Sequence, residues 1–143
     1  MRHLIHILAT YLLLASFSAF PQEPGAGHAQ TVRSFIAAFN AHDSSAMSQF
    51  VADDVQWLSV SGDSISVETN GKAALVSAMN GYFQSCPTCR SNLTALIASR
   101  DRVSAVEVAN WQGKDGPKMQ SGMAVYEFSG GVIKRVYYFP VEK

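Results

Sequence analysis

Bulky apolar residues recur at helical spacing near the start of the regular part of the chain. Val32, Phe35, Ile36 and Phe39 fall at i, i+3, i+4 and i+7, so a helix would carry all four on one face. The pattern predicts a first helix that begins near residue 31 and runs to about Ala41.

Two further helices are predicted downstream. Asp43 can cap a short second helix, whose apolar side is Met47, Phe50 and Val51, and a solvated corner at Asp53-Asp54 follows it. Asn70 can cap a third helix, which Cys86-Pro87 ends. The apolar positions of this third helix are Leu75, Val76, Met79, Tyr82 and Phe83.

From residue 92 onward the apolar period changes to two. Strands are predicted over residues 93–99, 103–111, 118–128 and 132–140, after an earlier strand at 55–60. The late strands are joined by short, turn-rich connections typical of hairpins. We therefore expect an α+β fold, with three N-terminal helices covering one face of a curved antiparallel sheet. The concave mouth of such a sheet is the expected place for a small-molecule site.

The first residues are typical of a secretory signal. Arg2 precedes an apolar run at 4–14 and a cluster of small residues at 15–19. The apolar run is shorter than the ~20 residues that cross a bilayer. We expect residues 1–18 to be removed, 19–30 to be a flexible leader and 31–143 to be the domain, which would be secreted or periplasmic. A later cleavage near Gly27 and Ala29, and an uncleaved anchor, are the alternatives.

The near-neutral charge of the chain limits the classes of partner that we expect. The chain has 11 Lys+Arg and 11 Asp+Glu with 48% hydrophobic residues, and it has no basic run. A nearly neutral chain lacks the electrostatic footprint of proteins that bind nucleic acid or anionic membranes, so neither partner is expected. Its length suits a single domain with one core.

The sharpest local motif is Cys86-Pro87-Thr88-Cys89. In an exported protein two cysteines at this spacing predict a disulfide. A redox site is disfavoured because the pair follows the end of a helix, where the helix dipole would raise the pKa of a thiol. No metal or other cofactor is expected, since His28 and His42 do not stand at ligand spacing. Asn92 begins a glycosylation sequon, which matters only in a host that glycosylates secreted proteins.

Five segments, in order and spacing, resemble the SnoaL-like branch of the nuclear transport factor 2-like superfamily. They are FIAAFNAHD (35–43), FVADDV (50–55), NGKAA (70–74), YEF (126–128) and GVI (131–133). The resemblance spans about residues 31–143. It implies a cone-shaped, cystatin-like domain with a deep apolar pocket, which often dimerises through the outer face of its sheet. The fold alone does not give the function.

The resemblance extends to the ketosteroid isomerases, but their catalytic residues are not retained. Phe35 stands where those enzymes have the oxyanion Tyr, Ser59 where they have the general-base Asp, and Ala124 where they have the protonated Asp. None of the three replacements can perform the lost role, which argues against ketosteroid isomerase chemistry. The catalytic sets of the family's epoxide hydrolases, dehydratases and cyclases are not recognisable either.

Strand alternation singles out Glu107 as the candidate catalytic residue. If Ala124 faces the interior, Gln120, Gly122 and Tyr126 do too, and the neighbouring strand directs Ala105, Glu107, Ala109 and Trp111 inward. A carboxylate in such surroundings would have a raised pKa and could act as an acid, a base or a ligand anchor. In the alternative the strand is flipped, with Val106 and Val108 on the core and Glu107 in solvent.

Several aromatic and polar residues complete the expected site. The residues expected to contact a ligand are Trp57, Ser59, Tyr82, Trp111, Gln120, Tyr126 and Tyr138, and Met119 and Met123 could line the same cavity. Aromatic and Met residues at these spacings also occur as ordinary core, so that alternative stays open.

Three functions are compatible with the sequence. The leading hypothesis is an exported SnoaL-like domain that binds a small, mostly apolar molecule without ketosteroid isomerase activity. The second is an enzyme of isomerase, cyclase or lyase type, with Glu107 as general acid/base assisted by Ser59 or Tyr126. The third is an interaction module that forms a homodimer through an outer sheet face carrying Arg135, Tyr137 and Phe139.

Overall fold

Helices cover one face of a six-stranded sheet in the computed structural model, which describes residues 25–140. The predicted signal segment 1–18 lies outside the described residues. The elements in chain order are α1 (Ala26–Asn40), α2 (Ser44–Ser48), β1 (Val51–Ser61), β2 (Ser64–Asn70), α3 (Lys72–Ser85), β3 (Arg90–Ala98), β4 (Arg102–Gly113), β5 (Gly116–Ser129) and β6 (Val132–Pro140). None of these helices is long and apolar enough to cross a membrane.

The strand order is β2-β1-β6-β5-β4-β3, and the sheet is mixed. β1 runs parallel to β6, whereas every other pair is antiparallel. The α+β class is confirmed, but the expectation of a purely antiparallel sheet is wrong, because an alternating pattern does not specify strand direction. The helices are not all N-terminal, since α3 follows β1 and β2. Edge strand β2 was not predicted, and almost all its side chains are exposed.

Helix α1 begins earlier than expected. Residues 26–30, assigned to a flexible leader, form its first turns. Gly25 precedes the helix at φ 90° and lies against the backbone of Ser99 so closely that a Cβ would not fit. The ring of His28 stacks on Phe128 with centroids 4.1 Å apart. These long-range contacts, which the local sequence pattern does not reveal, hold the first turn on the sheet.

The boundaries of α2 and α3 also differ from the prediction. Asp43 caps α2 as expected, its carboxylate accepting a hydrogen bond from the Ala46 N–H at 2.8 Å. The predicted corner Asp53-Asp54 lies within β1, although both side chains are exposed. Asn70 ends β2 and does not cap α3; Gly71 does so at φ 95°, a conformation that favours glycine.

The core lies between the helices and the inner face of the sheet. Val32 and Phe35 of α1 pack with Val103, Tyr126 and Val136 of the strands, and all five are almost fully buried. Four apolar positions predicted for α1 are therefore on its inward side, with Phe39 packed at the margin of this core. The helical periodicity of the sequence correctly predicted which face of α1 is covered.

Candidate functional site

A cavity of about 270 Å³ opens between α1, α3 and the inner face of the sheet; we call it the inner chamber. Its walls are mainly aromatic and aliphatic, which makes it suited to an apolar guest. The lining residues are Phe35, Ile36, Phe39, Trp57, Met79, Tyr82, Ser91, Glu107, Ala109 and Tyr138. Glu107 is the charged residue among them.

The orientation of β4 decides whether Glu107 belongs to this chamber. Val103 and Ala105 are buried in the core, and Glu107 follows them on the same face with 8% of its surface exposed. Val106 and Val108 lie on the opposite face and are only partly covered. The inward orientation of Glu107 is confirmed, and the flipped alternative is wrong. Ala105 and Glu107 face the core, and the larger Val106 and Val108 face the other side of the sheet.

Hydroxyl groups hold both oxygens of the Glu107 carboxylate. Tyr126 Oη donates to Oε1, and Ser91 Oγ donates to Oε2 at 3.2 Å. Ser91 is itself fixed by Asn40 at the end of α1: the Ser91 N–H donates to Asn40 Oδ1 at 2.7 Å, and Asn40 Nδ2 donates to the Ser91 carbonyl at 2.8 Å. With two donors already in place, the carboxylate is organised to accept a further hydrogen bond from the chamber.

Burial controls the protonation of this group of residues. Burial raises the pKa of Glu107 above its ordinary value of 4.5, and the hydrogen bonds from Tyr126 and Ser91 oppose that rise. Burial, the charge of Glu107 and the hydrogen bond to it raise the pKa of Tyr126 well above 10.0. Tyr126 therefore stays neutral at physiological pH and remains a donor to Glu107.

A glycine lets a second tyrosine approach Glu107. Gly122 pairs with Glu107 across β4 and β5, and a Cβ at position 122 would lie 2.5 Å from Oη and 2.8 Å from Cζ of Tyr138. The phenol of Tyr138 thus occupies the space that a side chain on Gly122 would need. Burial and the charges of Glu107 and Tyr82 raise the pKa of Tyr138, so its hydroxyl stays neutral in the chamber.

A second depression of about 410 Å³ adjoins the inner chamber; we call it the outer chamber. The two chambers share three lining residues, Tyr82, Ala109 and Tyr138. Trp111 and Gln120 line the outer chamber. The Cys86–Cys89 pair forms part of the same wall.

The predicted ligand-binding residues therefore divide into groups. Trp57 lines the inner chamber, Tyr82 and Tyr138 line both chambers, and Trp111 and Gln120 line the outer one. Tyr126 lines neither chamber but supports Glu107 from the core side.

Ser59 lines neither chamber. It pairs with Tyr138 across β1 and β6 and lies two residues from Trp57, and these two larger side chains line the inner chamber instead.

Met119 and Met123 do not line the cavity, so that expectation is wrong. They are 70% and 54% exposed, because odd-numbered positions of β5 face outward while Gly122 and Ala124 face inward. A strand with exposed methionines on one face and glycine and alanine on the other reverses the usual distribution of large apolar residues. Residue size alone was a misleading guide to the buried face.

Ser91 and Asn40 are functional candidates that sequence reasoning missed, whereas Gly122 was expected on the inner face without its role beside Tyr138. Ser91 falls outside the predicted strand 93–99, but β3 begins at Arg90, and Ser91 pairs with Ala109. Extending the period-two pattern back from Leu93 would have placed Ser91 on the inner face. No local signal links Asn40 to Ser91, since the two are 51 residues apart.

The predicted disulfide between Cys86 and Cys89 is present, with Cα atoms 5.4 Å apart. The Cys89 N–H donates to the Cys86 carbonyl at 3.1 Å, which closes a tight turn. Thr88 Oγ1 accepts a hydrogen bond from the Gln112 N–H at 3.0 Å. The loop is therefore tied to the end of β4 beside the outer chamber.

His42 is more enclosed than an exposed residue beside a helix cap would be. Its ring stacks on Phe83 with centroids 4.5 Å apart, and its Nε2 lies 2.9 Å from the Cys89 carbonyl oxygen. His42 thus connects the α1–α2 corner to the disulfide loop. Across residues 25–140, no three His, Cys, Asp or Glu side chains group as potential metal ligands.

Several solved structures have a fold similar to that of this chain. A cystatin-fold protein from Novosphingobium aromaticivorans is 24% identical, with a TM-score of 0.67 over 76% of this chain and 94% of its own. An NTF2-like protein of unknown function from Burkholderia pseudomallei is 20% identical, with a TM-score of 0.68 over 81% and 92%. TerC, co-crystallised with polyporic acid, is 14% identical, with a TM-score of 0.67 over 81% and 92%. At these identities the likeness shows the fold alone.

The sequence profile of the SnoaL-like domain matches residues 32–136, which is most of the chain. None of the curated proteins matches the chain in sequence. Together with the likeness to a cystatin-fold structure, the match confirms the resemblance read from the five sequence segments. The chain belongs to the SnoaL-like domain family, and it has the fold of nuclear transport factor 2-like proteins.

Proposed function

We propose that this domain binds a small, mostly apolar molecule in the inner chamber and anchors one hydroxyl group of that molecule on Glu107. The observation that carries the proposal is a nearly buried carboxylate in an otherwise uncharged chamber. Both oxygens already accept hydrogen bonds from protein hydroxyls, so a donor on the ligand is the complementary partner. The co-crystallisation of TerC, which has a similar fold, with polyporic acid supports a small organic molecule as the ligand here.

The energetics of burial support a functional role for Glu107. Withdrawing a carboxylate from water costs several kcal/mol, and an apolar residue of similar size would usually stabilise the fold as well or better. A core glutamate with one edge on a cavity is therefore a poor choice for stability alone. It is a good choice for orienting a polar group in an apolar pocket.

The same chamber argues against ketosteroid isomerase chemistry. Phe35 lines the chamber without a hydroxyl, and Ala124 is buried without a polar group. Ser59 lines neither chamber. No oxyanion donor or carboxylate base is offered by these three positions, so the domain should not isomerise steroid enones by that route.

An enzyme that uses Glu107 as general acid/base is the second candidate. The observation that favours it is the neutral phenol of Tyr138 beside the same carboxylate, since a proton donor and a base within one cavity can act on one substrate. The reaction would be of isomerase, cyclase or lyase type. Tyr126, rather than Ser59, would assist by holding Glu107.

A homodimer through the outer sheet face is a further proposal. Two apolar rows cross this face: Val67, Leu58, Tyr137 and Val125 in one, and Phe139, Met123, Val106 and Ala95 in the other. Arg135 borders the first row, where its Nη1 donates to Glu127 Oε1 at 3.0 Å. Contiguous apolar surface with a polar rim is typical of protein interfaces.

Export remains a proposal that the Cys86–Cys89 disulfide supports, because disulfides persist in oxidising compartments. We propose a secreted or periplasmic location after loss of residues 1–18. Intact-mass measurement of the protein recovered outside the cytoplasm tests this directly. A mass that still includes residues 1–18, or recovery only from the cytoplasm, would contradict it.

The binding proposal is tested by isothermal titration of the domain with simple phenols. We expect Glu107→Gln to bind a single-ring phenol at least tenfold more weakly, because an amide is a poorer acceptor than a carboxylate. Glu68→Gln, the same change on exposed strand β2, is the matched control and should leave affinity unchanged. Equal affinity in both variants would remove Glu107 from the site.

A further inference from the structure

We infer that the ligand is elongated and occupies both chambers, with a phenol or alcohol end at Glu107 and a neutral, planar end between Trp111 and Gln120. The inference rests on the proposed function, which concerns the inner chamber only. It adds the outer chamber as a second subsite and names the class of molecule that would fill both: a neutral, linear, multi-ring aromatic alcohol.

The two chambers lie side by side. Tyr82, Ala109 and Tyr138 are lining residues of both, so a ligand that extends from one chamber into the other passes these three side chains. Ala109 lies on β4 two residues from Glu107 and two from Trp111, and all three face the same side of the strand. The small methyl group of Ala109 leaves a passage between the carboxylate and the indole.

Size favours a ligand that uses both chambers. Pockets for drug-sized molecules measure roughly 300–1,000 Å³, and the inner chamber alone, at about 270 Å³, falls just short of that range. The outer chamber adds about 410 Å³ that is partly open to solvent. A compact ligand would fill the inner chamber only, whereas a linear one would reach Trp111.

The residues of the outer chamber define the chemistry of the second end. Trp111 offers an aromatic surface on which a planar ring can stack. The amide of Gln120 lies opposite Ala109 on β5 and can both donate and accept a hydrogen bond. None of the lining residues of this chamber is charged, which disfavours a phosphate or carboxylate at this end.

The disulfide gives this chamber a fixed wall. Cys86 and Cys89 both line it, and Thr88 between them accepts a hydrogen bond from the Gln112 N–H, next to Trp111 in sequence. The loop and the indole are therefore held relative to each other. A planar ligand that enters a rigid slot does not have to order mobile protein groups, so its binding costs less conformational entropy than binding in a mobile slot would.

The test is a length series of neutral phenols: 4-ethylphenol, 4-hydroxybiphenyl and 4-hydroxy-p-terphenyl, titrated into the mature domain by calorimetry. We expect affinity to rise with each ring, because the added rings enter the outer chamber. Trp111→Ala should weaken the three-ring phenol by about tenfold and leave 4-ethylphenol within about twofold. Gln120→Ala, at an exposed position, should weaken a terphenyl phenol carrying a terminal carboxamide but not the unsubstituted one.

The outcomes separate the inference from the proposed function. If 4-ethylphenol binds in a Glu107-dependent way but affinity does not rise with length, or Trp111→Ala and Gln120→Ala affect no member selectively, the two-chamber inference is overturned and the inner site stands. If no phenol of any length binds, the proposed function fails and the inference fails with it.

Discussion

The phenol of Tyr138 lies over Gly122, whose missing side chain leaves the space for it: a Cβ there would lie 2.5 Å from Tyr138 Oη and 2.8 Å from Cζ. Gly122 is opposite Glu107 on the adjacent strand, so the same gap brings the tyrosine beside the carboxylate. The absence of a side chain at Gly122 thereby allows the Tyr138 hydroxyl and the Glu107 carboxylate to share the inner chamber.

Gly122→Ala should displace Tyr138 and weaken phenol binding by about tenfold. The inserted methyl meets the rigid end of the phenol, and overpacking of this kind costs about 1–3 kcal/mol of stability. Gly81→Ala in α3 is the matched control, because nothing lies within 4 Å of a Cβ there. That change should stabilise the fold by about 0.5–1 kcal/mol. Chemical denaturation and titration of both variants check the prediction, which fails if they behave alike.

Tyr126→Phe should destabilise the fold by about 1–3 kcal/mol, since it removes a donor from a buried carboxylate. It should also raise the pKa of Glu107 further, because the hydrogen bond from Tyr126 opposes the effect of burial. Tyr137→Phe provides the comparison: its hydroxyl donates to Glu127 at 3.4 Å on the half-exposed outer face, so its loss should cost about 0.5 kcal/mol or less. Equal losses in urea denaturation would contradict the assigned role.

The stability of the protein should fall as pH rises through the range in which Glu107 ionises. Its pKa in the folded state is raised above 4.5, so the native protein holds this proton more tightly than the unfolded chain does. The stabilising effect is full below about pH 4.5 and is lost as pH passes the folded pKa.

Glu107→Gln removes this dependence. The free energy of unfolding of the Gln variant minus that of the wild type should therefore increase with pH across this window and then level off. Urea denaturation of both proteins between pH 4 and 8 measures the difference. A difference that does not change with pH would show that Glu107 is not desolvated.

Replacing both Cys86 and Cys89 by Ala should cost about 2 kcal/mol, because the closed loop is short and chain entropy falls with its length. The hydrogen bond from the Gln112 N–H to Thr88 remains and should keep the loop near β4. Thermal denaturation of the double variant beside wild type under oxidising conditions gives the cost. No measurable loss would mean that the loop is held without the bond.

The sequence predicted the α+β class and the inward face of α1, and it offered an inward Glu107 as one of two alternatives, because each depends on local periodicity. It did not predict the parallel β1–β6 pairing or the contact between Asn40 and Ser91. Both join segments that are far apart in the sequence, and the residues around each segment carry no signal of its partner. The inward orientation of Gly122 was predicted, but its importance comes from Tyr138 on another strand, which the sequence pattern does not reveal. The pattern of apolar and polar residues thus predicted most of the helices and strands, but it did not predict the contacts that support Glu107.

The dimer proposal is tested by a charge on the outer face. Tyr137→Asp should weaken self-association measured by multi-angle light scattering, because it places a carboxylate within the apolar row beside Leu58 and Val125. Ser45→Asp, at an exposed position of α2, should leave the association unchanged. A wild-type mass that stays monomeric at every concentration would exclude the dimer.

The proposed function places the hydroxyl of an apolar guest on Glu107 in the inner chamber. A crystal structure of the domain soaked with 4-hydroxybiphenyl tests it most directly. We expect density in the inner chamber with the phenol oxygen about 2.5–3.0 Å from a Glu107 carboxylate oxygen and the second ring pointing toward Trp111. An inner chamber without the ligand, or a ligand bound with its hydroxyl away from Glu107, would contradict the account.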